Sequence, residues 1–339
     1  MSGKNLSALG IGGKSVFSLG LLTLPALTMA GTGIDSDIAW GPVYQTYDPA
    51  SSYESYSDSY TNIYGGTASV DAYADAMNRQ LGARSTALSG YGDTAGGSIG
   101  ARFSGRIDID ASGIDTTYNP LLELRLELRL KGSLVAGSLI GNELGFEGLT
   151  NSTNMEAGFI LYEGATPLQY NPGEISGLIQ DIRSANFPDH PSLMNFYAES
   201  SIHRENLGDG NERLSYGWTY EANADEVSIY QGDWPAPITR PLDAQPFNLD
   251  FDTGLLTMDI LAPIQETLWI EGALQTMVYV EDSASATADF MDSFSVNITS
   301  LTPGVTLTYS PDTTVVPLPA AAWLFGSGLL LLLRIGKRD

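Results

Sequence analysis

Leu122-Glu123-Leu124-Arg125-Leu126-Glu127-Leu128-Arg129-Leu130-Lys131 places a leucine at every even position and a charge at every odd one. Successive side chains of a strand point to opposite faces, so an extended chain gathers all five leucines on one side and all five charges on the other. A helix would scatter the same leucines around its circumference, whatever their helix propensity. One buried face and one wet face are what an antiparallel sheet allows. The stretch therefore predicts a strand of an antiparallel β-sandwich.

Upstream, Ile99 to Ile109 reads as a second strand. Its expected partner is the leucine strand, reached by a loop from Ser112-Gly113 to Asn119-Pro120. Downstream, Glu156–Tyr162, Leu214–Glu221, Glu226–Tyr230, Phe247–Ile260, Thr267–Val280, Ala286–Val296 and Val305–Tyr309 are further strand candidates. Gly, Pro, Asn and Asp separate most of them, the punctuation of a sandwich or barrel. Ile175, Leu178, Ile179 and Ile182 recur at helical spacing, which predicts one helix over Ile175–Ala185. Residues 68–84 point both ways: Val70, Tyr73, Met77 and Leu81 have helical spacing, whereas the Gly-rich surroundings suggest short strands. Residues 31–66 read as a polar, loop-like segment with Tyr44, Tyr47, Tyr53, Tyr56, Tyr60 and Tyr64 set among Ser, Asp and Gly. Such tyrosines make a sticky arm, a saccharide-stacking surface or the rim of a sheet. No period of 20 to 50 residues repeats, which argues against a solenoid or propeller.

The ends of the chain carry an address. Lys4 and Lys14 precede a mostly apolar Val16–Leu27, and Thr28-Met29-Ala30 offers a small-residue cleavage site, the three parts of a signal peptide. At the other end Val316-Pro317-Leu318-Pro319-Ala320 opens an uncharged run, Val315 to Leu333, of 19 residues. A membrane helix needs roughly 20 apolar residues, so the run just suffices, although Pro317 and Pro319 disfavour its first turn. Arg334, Lys337 and Arg338 follow at once, as a cytoplasmic stop-transfer flank would.

Motif, apolar stretch and basic end, in that order, resemble the VPLPA-CTERM variant of the PEP-CTERM sorting signal found on bacterial envelope proteins. Only Val316 to Ala320 match the recognition motif; the remainder matches by type. The resemblance implies a partner, an exosortase-type membrane transpeptidase that removes the helix. It also implies a destination, the cell surface or an exopolysaccharide matrix. Ala288-Asp289-Phe290 through Ser293-Phe294-Ser295 to Pro303-Gly304-Val305 is loosely similar to the last strands of many such proteins, whose bodies look like jelly rolls. The expected organisation is a signal peptide at 1–30, a Tyr/Ser-rich segment at 31–66, a jelly-roll-like β-sandwich at 67–314 and a sorting signal with its membrane helix at 315–339.

Without residues 1–30 and 315–339 the body holds 11 basic and 39 acidic residues, a formal charge of −28 against −24 for the whole chain. That field repels phosphate backbones and excludes nucleic acid as a partner. It suits a salty exterior and would also attract cations. The chain has no cysteine, so disulfides, thiolate metal sites and cysteine nucleophiles are excluded.

Catalytic signals are sparse. Gly96-Gly97-Ser98-Ile99-Gly100 matches the spacing of a nucleophile elbow, but it sits in a Gly-rich entry to a strand, with no α/β alternation around it. Gly10 to Ser15 imitates a phosphate loop without its first glycine, which would fall at Ala8. His190 and His203 are the only histidines and neither has ligand spacing, so both read as surface residues. Asp108, Asp110 and Ser112, followed by Gly113, match the first half of a calcium loop, and Asp115 adds a carboxylate. Asn119 stands where the bidentate Glu belongs, leaving a weak Ca2+ site in the loop or a plain Asx-type turn. The expected function is that of a non-enzymatic, exported surface or biofilm-matrix protein. The alternatives are a lectin-like module using Trp218 and Trp234, with Ca2+ as cofactor, and a secreted hydrolase built on an acidic pair.

Overall fold

The structure, a computed structural model, describes residues 32–38, 44–48, 51–114, 120–138, 148–164, 168, 175–184, 187, 190–224, 227–242, 245–264 and 267–310. These form eighteen strands and one helix. Ten strands make one sheet: β1 (Thr32–Ile38), β2 (Tyr44–Asp48), β6 (Thr94–Asp110), β9 (Thr150–Glu163), β10 (Ser192–Asn206), β11 (Asn211–Ala224), β12 (Val227–Asp233), β13 (Ile238–Pro241), β16 (Leu268–Glu281) and β18 (Thr306–Ser310). Eight make the other: β3 (Tyr53–Thr61), β4 (Thr67–Asp75), β5 (Gln80–Leu88), β7 (Leu121–Arg129), β8 (Lys131–Ala136), β14 (Phe247–Asp252), β15 (Leu256–Pro263) and β17 (Ser285–Ser300). The protein is all-β, and every strand pair is antiparallel.

The two sheets share one apolar core. Leu122, Leu124, Leu126, Leu128 and Leu130, all fully buried, belong to the same cluster as Phe103, Phe159, Phe196 and Leu274 of the ten-stranded sheet. Burial of this kind contributes roughly 25 cal/mol per Å² of apolar surface removed from water. The leucine stretch is broken at its end. Leu130 leaves the ladder, exchanging hydrogen bonds with Thr253: its N–H donates to the side-chain Oγ1 of Thr253 at 3.1 Å and its carbonyl accepts the Thr253 N–H at 3.0 Å. Lys131 then opens β8 instead of closing β7.

Several expectations need correction. The strand over Ile99–Ile109 is longer, β6, and does not pair with the leucine strand. Its neighbours are β16, β1 and β18, while β7 lies in the other sheet against β15 and β17. The connection after Asp110 therefore crosses between sheets rather than closing a hairpin. Residues 31–66 contain three strands. β3 pairs along its whole length with β4, and its alternate Tyr56 and Tyr60 pack against the core. Tyr and Ser suit an edge strand even without an apolar run. Of the two readings of residues 68–84, the short strands hold: they are β4 and β5, and the helical spacing is a coincidence in which Met77 sits exposed in the turn. Phe247–Ile260 is divided by a turn at Gly254, whose φ of +65° is the left-handed value glycine tolerates. Among the described residues no helix is long and apolar enough to cross a membrane. The expected signal peptide, the motif Val316 to Ala320, the apolar helix after it and the basic Arg334, Lys337 and Arg338 lie outside the described residues.

The one helix, α1 (Ile175–Ser184), buries Ile175, Leu178, Ile179 and Ile182 as its spacing requires. It lies on the outer face of the ten-stranded sheet. Gly100 of β6 and Gly158 of β9 make room for it: a side-chain carbon at either would meet Ile175 or Ile182.

Candidate functional site

Helix α1 gives the ten-stranded sheet a second, smaller core on the side away from the sandwich. Ile160, Tyr162, Tyr197, Trp269 and Ala273 rise from the sheet to meet Ile175, Leu178, Ile179 and Ile182, with Leu168 and Phe187 at the margin. Strand register sets what surrounds this patch. Gln275 of β16 stands opposite Glu156 of β9, which stands opposite Glu199 of β10 and, beyond it, Thr219 of β11. One row along, Met277, Asn154, Ser201 and Gly217 repeat the arrangement.

Asn154, Glu156, Ser176, Gln275 and Met277 line a cleft of about 120 Å³ at the edge of the helix. Burial, then the facing Glu199 charge, raise the Glu156 carboxyl above its ordinary range; Gln180 donates to it at 3.4 Å. Glu199 is held differently. The Tyr197 hydroxyl donates to it at 3.0 Å, and Arg183 of α1 approaches to 3.8 Å while its guanidinium lies 4.5 Å over the Tyr197 ring. Burial, then the charges of Glu199 and Glu156, push the Tyr197 phenol well up. A carboxyl with a raised pKa beside a carboxylate is the pairing a glycosidase needs. Here, however, one member is engaged by Tyr197 and Arg183, and the cleft is well below the roughly 300–1,000 Å³ of small-molecule sites. It has room for ordered water and not for a sugar ring and its neighbours.

Beneath the same cover lies a buried polar group. Arg102 Nη2 is 4.0 Å from Glu271 Oε2, and the Tyr162 hydroxyl donates to Glu271 Oε1 at 3.4 Å while accepting the Leu168 N–H at 2.9 Å. Arg102, Glu271 and Tyr162 are 1, 0 and 0% exposed. Burial raises the Glu271 carboxyl to about 7, against the opposing pull of Arg102 and then Tyr162. His190 packs edge-on to Tyr162, with ring centroids 5.3 Å apart. It is half-buried there, not the surface histidine expected, because Tyr162 offers it a ring face; His203 is exposed on β10.

A second buried pair is structural. Arg204, fully buried, bonds Glu212 through Nε at 2.9 Å and Nη2 at 2.7 Å, and donates through Nη1 to the carbonyls of Ala136, Gly137 and Gln245. Arg240 caps the other Glu212 oxygen at 2.7 Å.

The other sequence-singled residues are dispersed. Asp108 is bound by Arg106 at 2.9 Å and accepts from Ser310. Asp110 accepts the Ser112 N–H at 3.0 Å, an Asx turn, and this bond holds its carboxyl below the ordinary range. Asp115 lies outside the described residues. Among the described residues no group of three or more His, Cys, Asp or Glu is placed to hold a metal ion. Ser98 is internal to β6 and not at a strand-to-helix turn. Trp218 points into the sandwich, stacked on Tyr220 and edge-on to Phe251. Trp234 is on the outside, 46% exposed. The facing pair Glu156 and Glu199, the buried Glu271 and the exposed Tyr230 are features sequence reasoning missed. For Tyr230 a signal existed: Val227, Ile229 and Gln231 alternate with Ser228, Tyr230 and Gly232.

No family model, curated protein or solved structure matches the chain.

Proposed function

We propose that the protein is an exported, non-enzymatic component of the cell surface or of an exopolysaccharide matrix, delivered by an exosortase-type system. The observation that carries this reading is the ordered tail: Val316-Pro317-Leu318-Pro319-Ala320, then an apolar stretch to Leu333, then Arg334, Lys337 and Arg338. In this reading residues 1–30 direct export and are removed. The apolar stretch then holds the chain in the inner membrane until the transpeptidase acts at the motif. An acidic, cysteine-free body with a large shared core suits such a destination. The interleaved strand order, with β16 between β9 and β6, supports a jelly-roll-like body. The test compares the wild type with Pro317→Ala plus Pro319→Ala in a host carrying the exosortase, by intact mass and membrane fractionation. Loss of tail removal in the variant is expected; unchanged processing sinks the reading.

A carbohydrate-binding, lectin-like role is the second reading, with Ca2+ at Asp108, Asp110, Ser112 and Asp115 as its candidate cofactor. The exposed Trp234 favours it, while Trp218, committed to the sandwich interior, drops out of it.

A further inference from the structure

β12 is bonded on one side only, to β11, among the described residues. Its alternation is legible side chain by side chain. Ile229 packs against the core and Gln231 accepts the Tyr220 hydroxyl at 2.5 Å, so the odd positions face inward. Ser228, Tyr230, Gly232 and, just past the strand, Trp234 therefore face outward. Tyr230 is 70% and Trp234 46% exposed.

Two glycines shape this strip. The six-membered ring of Trp234 rests against Gly217 of β11, where any side chain would run into Cε3 and Cδ2. The ring is thereby backed by main chain. Between the two aromatics, Gly232 contributes no bulk, and Thr219 and the Tyr230 hydroxyl occupy the space its side chain would take. Four residues of extended chain separate the Cα atoms of the two aromatics by about 13 Å at roughly 3.3 Å per residue, and the Tyr230 ring leans from its own position toward Gly232. Directly across on β11, Glu221 faces Tyr230 and supplies a carboxylate beside that platform, while the buried Thr219 faces Gly232 and donates its hydroxyl to the Gln231 carbonyl at 3.2 Å.

We propose that this strip, from Tyr230 to Trp234, binds an uncharged polysaccharide chain, stacking sugar rings on the two aromatics. The inference builds on the carbohydrate-binding reading and is independent of the tail. A pyranose has an apolar C–H face that fits a flat ring and a hydroxyl edge that fits carboxylates and hydroxyls. A chain of them can lie along an edge strand, where a compact ligand would find no pocket to fill. Charge selects against other partners. With 39 acidic against 11 basic residues in the body, anionic lipid surfaces, nucleic acids and acidic polymers are all repelled.

Affinity electrophoresis of the full chain in mild detergent tests this, with a neutral β-glucan, a neutral mannan and acidic alginate as probes. At least one neutral polymer should retard the wild type, and alginate should not. Tyr230→Ala and Trp234→Ala should each weaken retardation about five- to tenfold, as for truncated aromatic contacts, and the double variant should abolish it. Tyr53→Ala, an exposed tyrosine on the other sheet, should change nothing. Urea midpoints equal to wild type keep misfolding from imitating the result. Retardation by a neutral polymer that survives in the double variant overturns the site and leaves carbohydrate binding standing. Retardation by alginate alone overturns the ligand class. Retardation by none of the three overturns both.

Discussion

On the eight-stranded sheet the side turned away from the core carries Arg125 bonded twice to Asp259 at 2.8 Å, Arg129 to Asp252 at 2.8 Å and Arg84 to Asp71 at 2.9 Å. On the ten-stranded sheet the corresponding side carries Trp269, Tyr162 and Ile160 under a helix, with Arg102 and Glu271 buried beside them. The same alternation of strand side chains builds both. In the first case water screens the charges and each pair holds only loosely. In the second the charges are out of water, and the protonation of Glu271 becomes tied to folding. What separates the faces is the cover, and the cover exists because Gly100 and Gly158 let a helix approach.

Removing the cover's grip should have the largest effect. Ile179→Ala leaves a cavity between α1 and the sheet and is expected to lower stability by about 2–5 kcal/mol, read from urea unfolding. Next in size is the effect of pH. The folded Glu271 value, about 7, lies above its free value of 4.5. The folded protein therefore holds an extra proton between those values, and stability should fall as pH rises through that window, by about 3 kcal/mol in all. Urea midpoints at pH 5 and pH 8 measure the drop, and Glu271→Gln, with no proton to lose, should remove this slope. If the variant keeps the same slope, the buried carboxyl is not its source. The smallest effect belongs to the charged face. Arg125→Ala should leave the urea midpoint unchanged, and a shift as large as that of Ile179→Ala would mean the two faces are not so different after all.

The charged face and the covering helix were legible in the sequence, and the strands and side-chain pairs beneath that helix were not. Leu122 to Lys131 announces its strand because leucine and charge alternate strictly, and Ile175 to Ile182 announces its helix by a period near 3.6. β10 gave no such signal. Met194, Asn195, Phe196, Tyr197 and Ala198 are buried in succession, since the strand has the sandwich core on one side and α1 on the other. A strand buried on both faces loses the contrast on which alternation depends. β3 escaped for the opposite reason: its Tyr and Ser barely differ in polarity from one face to the other. The outer-face residues lay beyond reach for a geometric reason. Gln275, Glu156 and Glu199 become neighbours only through the register of three strands far apart in the chain. Tail residues such as Pro317 and Pro319 could be singled out because a short motif is read along the chain and needs no fold to be seen.

The place of β16 and β17 bears on how the protein acquires its shape. β16 pairs with β6 from Leu268↔Ile107 to Glu281↔Thr94, and β17 pairs with β5 from Ser285↔Leu88 onward. Each is an interior strand of its sheet, yet both come from the last quarter of the chain. Until they arrive, β6 and β9 lack the strand that joins them, and β5 and β8 lack theirs. Such distant pairings fold slowly, because the loop must close before any contact rewards it. A chain threaded through a membrane from its N-terminus would stay open until nearly all of it had emerged, with unfinished strand edges exposed on the way. In such a chain the dense acidic charge would have a second use, keeping those waiting strands apart from one another.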